Sequence, residues 1–255
     1  MVVSAICMSA IGSHAAQVNA GESYGLASGE TVQGNLYAAG QSAVLNGTVG
    51  GDAIIAGQTV LMRGNVVGDT TVAGGTVDVL GNTDGDVRVV GGNVLVGNHV
   101  GGDVAVAAGS FSLLEGATVG GDVLGMSGNS TVDGAVNGSM RLRGGRIYIN
   151  GPVRGSVDVT TTDVVTLGRN AVIEGDIVYR SPQVIRMERG ATVRGRTIRE
   201  NLPESFNNNW EQSAKNFFAT VSLIHLLAWL GAALVGVLLF PQSSRAFTES
   251  AAAHP

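Results

Sequence analysis

The chain has 255 residues, a net charge of −5, 44% hydrophobic and 14% charged residues, and 39 glycines. It is too apolar for a disordered chain, its glycines follow no Gly-X-Y period and so exclude collagen, and its acidic balance argues against nucleic acid as a partner. A single cysteine, Cys7, excludes an internal disulfide framework and a cysteine-based metal site.

Residues 1–20 are small and apolar, with small-residue cleavage positions at Ala15 and Ala20, which predicts a secretory signal peptide. The basic start of such a peptide is missing, because no Lys or Arg precedes Arg63, so either the true start lies upstream or the segment is an ordinary buried first strand. Cys7 is no lipoprotein anchor, since bulky Ile6 fills the position that needs a small residue.

From residue 21 to 199 one pattern recurs. Gly followed by a small polar residue stands at Gly34-Asn35, Gly51-Asp52, Gly68-Asp69, Gly85-Asp86, Gly102-Asp103, Gly121-Asp122, Gly138-Ser139, Gly155-Ser156 and Gly175-Asp176, and a last Gly at Gly195-Arg196. The spacings are 17, with one of 19 and two of 20. Each repeat carries two further turn signals, such as Gly91-Gly92 and Gly81-Asn82, so it reads as three short strands and three corners. Apolar residues keep period two within each strand: Val87 and Val89, then Val94 and Val96, then Val100. Gly21 to Gly29 reads as a weak cap on the first coil. The expected fold is all-β, a solenoid of about ten 17-residue triangular coils. A lone coil cannot fold. About five buried side chains at roughly 1.5–3 kcal/mol each do not offset seventeen fixed backbones at roughly 1–2 kcal/mol apiece.

The chemical candidates are few. Asp52, Asp69, Asp86, Asp103 and Asp122 form a column that reads as a cation ladder or a glycosidase-like carboxylate pair, or as turn residues bonding nearby backbone N–H groups. Asn35, Ser139 and Ser156 occupy equivalent positions, which favours turn chemistry, with Gly51, Gly68, Gly85, Gly102, Gly121, Gly138, Gly155 and Gly175 as corner residues. His99 is the only histidine among the coils and reads as a corner residue, because catalysis needs an oriented partner. A β-helical lyase or hydrolase needs basic residues beside the carboxylates, and only Arg88 is near the column. No catalytic, cofactor-binding or nucleotide motif is present, so no enzyme activity and no cofactor are expected. Arg186, Arg189, Arg194, Arg196 and Arg199 cluster toward the end of the repeats, where they suit anionic headgroups or a solvated last coil.

Residues 200–216 are polar, contain Pro203, and read as a linker. Residues 217–240 carry no formal charge and exceed the roughly 20 needed to cross a bilayer, which predicts a transmembrane helix from Phe217 through Trp229 to Phe240. Residues 241–255 form a short tail that stops abruptly, as a truncated chain would. Arg199 and Lys215 before the span, against Arg245 after it, favour a cytoplasmic N-terminal side. The signal-like start favours an extracytoplasmic solenoid, and that is the expectation taken forward.

The last coils resemble the closing repeats of bactofilins, polymer-forming bacterial cytoskeletal proteins. The matching pieces are Gly175-Asp176-Ile177, the apolar Ile185 and Met187, and the run from Gly190 to Gly195. The resemblance covers roughly residues 30–197. It implies a right-handed β-helix that joins end to end into nonpolar filaments, without nucleotide or cofactor, often at a membrane. The signal-like start, the additional coils and the C-terminal span depart from the soluble members. The function expected is therefore a non-enzymatic, membrane-tethered scaffold that self-associates through its coil ends, with Val193 and Ile198 as contact candidates. Its partners would be other copies, the bilayer and cell-envelope components. The alternative is an exported binding rod or adhesin that displays cation- or carbohydrate-binding turns.

Overall fold

In the computed structural model, residues 16–202 are described. The apolar stretch of the expected leader, the expected linker beyond residue 202, the expected span with Phe217, Trp229 and Phe240, and the tail lie outside them. The described residues form a right-handed β-solenoid of about 11 turns in which all the described strand pairs are parallel. Among them no helix is long and apolar enough to cross a membrane.

The expected period-two residues are the core. Val87, Val96 and Val104 of successive first and second arms are all but fully buried, as are Val66 and Val100 of the third. Each keeps its partner in the next coil: Val87 stands opposite Val104 and Val96 opposite Leu113. Apolar side chains therefore stack in columns along the axis, one layer per coil.

Two features differ from the sequence expectation. In the coils from Leu36 to Ile149 the first and second arms are one strand of ten residues, as in Leu36–Leu45, Ala53–Met62 and Met140–Ile149, whereas they are separate strands in the first coil and the last two. The alternation shifts phase in the middle, where Gly40 pairs with Gly57 and Ser42 with Thr59 while Gln41 and Gln58 drop out of the ladder. This corner is a bend within a strand, not a break between two. The third arm is short, as in Thr48–Val49 or Thr118–Val119.

The second difference is the count. An additional coil precedes the first one expected. It runs through Gln17–Ala20, Ser23–Leu26 and Thr31–Val32, and its first arm pairs with Leu36–Ala39. The solenoid thus begins before residue 21, and cleavage after Ala20 would remove its first arm, whereas cleavage at Ala15 would spare it. The inward positions of this coil are polar at Gln17 and Asn19, which lie opposite inward Leu36 and Ala38. That mixture hid it from a pattern search for apolar alternation.

The 19-residue coils absorb their two additional residues at one corner, and the 20-residue coils place two there and a third between the first and second arms. Tight turns closed by Glu30 N–H to Ala27 C=O, Ala117 to Leu114, Ala171 to Gly168 and Ala191 to Glu188 lie between the second and third arms. Gly29, Gly116 and Gly190 have φ of 86°, 85° and 113° there, the left-handed value that the third residue of a type II turn requires. These are the only positive-φ residues described. The other corner glycines serve a different purpose. A Cβ on Gly64, Gly81 or Gly151 would overlap the carbonyl oxygen of the glycine one coil below. Their columns exist because backbones approach too closely for any side chain.

Where inward positions are polar or missing, neighbours compensate. Thr70 and Thr83 are fully buried and share a hydrogen bond of 3.0 Å between their hydroxyls. Ser127 and Ser130 do the same at 2.6 Å. Gly125 occupies an inward position, and a Cβ there would come 2.6 Å from Leu142 Cδ2 and 3.2 Å from Val106 Cγ1, so Leu142 fills the space that Gly125 leaves.

Candidate functional site

The edge between third and first arms carries the aspartate column, and its chemistry follows from stacking. The N–H of Asp69 donates to Asp52 Oδ1 at 3.0 Å, Asp86 to Asp69 at 2.9 Å, Asp103 to Asp86 at 2.8 Å and Asp122 to Asp103 at 2.7 Å. Asn35 starts the series by accepting from Asp52 at 2.9 Å, and Ser139 continues it by donating to Asp122 at 2.7 Å. The turn expectation located the right atoms but the wrong partner. The bond is to the next coil, 17 or 19 residues on, and not to the local turn.

The preceding glycine is what makes room. A Cβ on Gly68, Gly85, Gly102 or Gly121 would overlap the Oδ1 of the aspartate one coil earlier. Gly51 and Gly138 are equally constrained by Asn35 and Asp122, Gly155 by the Ser139 hydroxyl, and Gly175 by the Gly155 carbonyl and the Ser156 hydroxyl. Each glycine N–H continues the ladder, Gly85 to Gly68 C=O at 3.2 Å and Gly102 to Gly85 at 3.0 Å. The hydrogen-bond ladder therefore passes through the corner unbroken, with a carboxylate oxygen acting in place of one backbone carbonyl.

Each carboxylate in this row has one oxygen committed to the next coil, leaving Oδ2 outward. Arg88 uses two of them, reaching Asp69 Oδ2 at 2.8 Å and Asp86 Oδ2 at 2.6 Å. The backbone N–H of Asp86, with the Arg88 guanidinium beside it, holds the Asp69 carboxyl below its ordinary value. Near the other end Arg196 forks onto Asp176 Oδ2 and its own N–H binds Oδ1, which holds Asp176 down as well. A general acid needs the opposite shift. These two groups are acceptors.

An open groove of about 540 Å³ runs beside the row. Asp86, Asp103 and Asp122 line it, with Ala105 and Leu124 among its apolar residues and Arg88 and Arg141 among its charged ones. Those last four stand consecutively in one outward column, since Arg88 pairs with Ala105, Ala105 with Leu124 and Leu124 with Arg141. The same column begins with Val18, Tyr37 and Ile54, all exposed, so the first arm has an apolar outer face toward the N-terminal end. Among the described residues no three His, Cys, Asp or Glu side chains form a group able to hold a metal ion.

His99 lies on an exposed corner with Nδ1 2.8 Å from Thr118 Oγ1, and its N–H donates to Asn98 Oδ1 at 3.0 Å. Val193 is half-buried and packs against the core at the C-terminal end. Ile198 pairs with outward Val178, so the inward positions of the last described arm are Thr197 and Arg199, above Ile177 and Tyr179. Sequence reading overlooked a second side-chain series: Asn150 Nδ2 donates to Asp133 Oδ1 at 2.9 Å, and Asn150 Oδ1 accepts from Asn170 N–H at 3.1 Å. Recurrence of Asp or Asn 17 and 20 residues apart was its signal.

Comparison with protein-family models, with curated proteins and with solved structures gives no match. The functional reading rests on the geometry and on the sequence.

Proposed function

We propose that this chain is a non-enzymatic scaffold, tethered to a membrane through residues 217–240, whose solenoids associate through their ends. The observation that carries it is the backbone ladder. It continues from coil to coil along the rod and stops at Gln17–Ala20 and Thr197–Glu200, each paired on one side only among the described residues. An open strand edge is a template for another strand, and a solenoid has two. The resemblance of the closing repeats to bactofilins points the same way. The uncharged span supports the membrane tether, and the signal-like start supports an extracytoplasmic rod.

Electron microscopy of the full chain in detergent, beside a Val193→Asp variant, tests this. Filaments should form, and the variant should lose them, because Asp would place an unpaired charge against the core at the terminal coil. A wild-type chain that stays monomeric at every concentration would refute the scaffold. A second reading, the exported binding rod, is favoured by the groove beside the outward Oδ2 atoms. It requires calcium or an acidic-groove ligand to raise the melting temperature through linkage.

A further inference from the structure

We infer that the ends join head to tail, the N-terminal coil of one copy on the C-terminal coil of the next, giving a filament with direction. This rests on end-to-end association as proposed above and departs from the nonpolar filament that the bactofilin resemblance implies.

Charge is sorted along the rod. Residues 16–140 contain eleven acidic residues and two basic ones, Arg63 and Arg88, for a net −9. Residues 141–202 contain eleven arginines and six acidic residues, for a net +5. Screening decides which of these charges a joint can feel. Coils rise by about 4.8 Å, and at 0.1 M salt the screening length is about 10 Å, so about two coils at each end matter. Over residues 17–51 the only charges are Glu22 and Glu30 together with Asp52 at their margin. Over the last two coils, residues 157–200, there are seven arginines and six acidic residues, net +1, and the outermost coil, residues 177–200, holds six of those arginines and only two glutamates, net +4.

Internal ion pairs compensate three of the six arginines and leave Arg186 and Arg189 free of one among the described residues. Arg194 is taken by Glu174, Arg196 by Asp176, and Arg180 by Asp158 and Glu200. Arg186 and Arg189 are exposed and make no ion pair among the described residues, and neither does exposed Glu22. Apolar burial does not choose the orientation, because the first arm of each end coil is polar inward, Gln17 and Asn19 against Thr197 and Arg199, and both ends also carry apolar inward residues, Leu26 and Val32 at one and Met187 and Val193 at the other. Electrostatics chooses it. Two N-terminal ends facing each other oppose Glu22 and Glu30 with their own copies, and two C-terminal ends oppose arginines with arginines. Only the unlike joint brings glutamates to arginines. Such a heterologous contact does not close on itself and propagates as an open filament.

Single cysteines on exposed Ser23 and exposed Val184, both at the corner between the first and second arms, each in a full-length Cys7→Ser chain in detergent, provide the test. Mixing Ser23→Cys with Val184→Cys under mild oxidation should yield a disulfide-linked dimer, and neither variant alone should. Disulfide dimers from either variant alone would overturn the direction while leaving end-to-end association intact. Oligomers that form without any of these links place the contact on the sides and overturn both, as does a chain that remains monomeric. A second measurement uses charge. Glu22→Lys with Glu30→Lys should weaken association about tenfold, and pairing that variant with an Arg186→Glu, Arg189→Glu chain should restore it. Association unchanged by the reversal would refute the electrostatic basis, with circular dichroism confirming that each variant is folded.

Discussion

Replacing Asp86 and Asp103 together by Asn, and in a separate chain together by Ala, separates the two contributions of a ladder carboxylate. Both pairs of substitutions remove the same two charges. Only Ala removes the oxygen that accepts the N–H of Asp103 and of Asp122. The stability difference between the variants is therefore two hydrogen bonds, and at about 1 kcal/mol each the Ala pair should be less stable by about 2 kcal/mol. The charge contribution is common to both. Carboxylates about 4.8 Å apart along a stack repel by about 0.9 kcal/mol in water without salt. Three neighbour repulsions vanish, and the exposed Arg88–Asp86 pair, worth under about 1 kcal/mol, is lost. At low salt the Asn pair should be more stable than the parent by up to about 2 kcal/mol. At 1 M salt, where the screening length is about 3 Å, that advantage should disappear while the Asn–Ala gap persists. Denaturant unfolding followed by circular dichroism at both ionic strengths reads all three quantities. Asn and Ala variants within about 0.5 kcal/mol of each other would refute the inter-coil bond as a source of stability. An Asn pair much weaker than the parent would mean that the carboxylate charge itself is required, as a cation-binding row demands.

Gly102→Ala should destabilise by more than about 2 kcal/mol, because its Cβ overlaps Asp86 Oδ1 and lies 3.0 Å from the Gly85 carbonyl, whereas Gly25→Ala, with nothing within 4 Å, should stay within about 0.5 kcal/mol; thermal melts compare them. Leu142→Ala should cost about 3 kcal/mol by opening a cavity above Gly125, and Gly125→Ala should be better tolerated beside Leu142→Val than alone, which a double-mutant cycle measures. The Asp69 and Asp176 carboxyls are held below the ordinary value of 3.8, so the stability they contribute is complete above that value and falls away as pH drops through their lower folded values. Asp69→Asn with Asp176→Asn should flatten that acid-side loss in a pH titration of the melting temperature. An unchanged acid limb would show that other groups set it.

Much of the fold was legible because a stacked coil repeats its constraints. Val87, Val94 and Val100 announce three buried arms by spacing alone. What was hidden depends on the neighbouring coil. The partner of Asp86 Oδ1 lies seventeen residues away, so turn chemistry named the atom without its bond. Leu142 filling the space beside Gly125 and the hydroxyl pairing of inward Thr70 with Thr83 are likewise visible only between coils. The first coil escaped because Gln17 and Asn19 break the apolar alternation and its first arm overlaps a leader-like segment. The sorting of charge needed no structure to count, but acquired meaning only once residue number became position along a rod.

The ladder bonds of this molecule point along the axis from each coil to the next, as from Val87 to Val104 to Val123. A pull on the two ends of the chain therefore loads those bonds in series. The rod should not shear as a block, as a sandwich of antiparallel strands does when its bonds share the load. It should unwind from one end a coil at a time, each 17-residue turn releasing up to about 58 Å of chain. Under tension it would behave as a spool, paying out slack in nearly equal lengths at low force and rewinding when the load is removed.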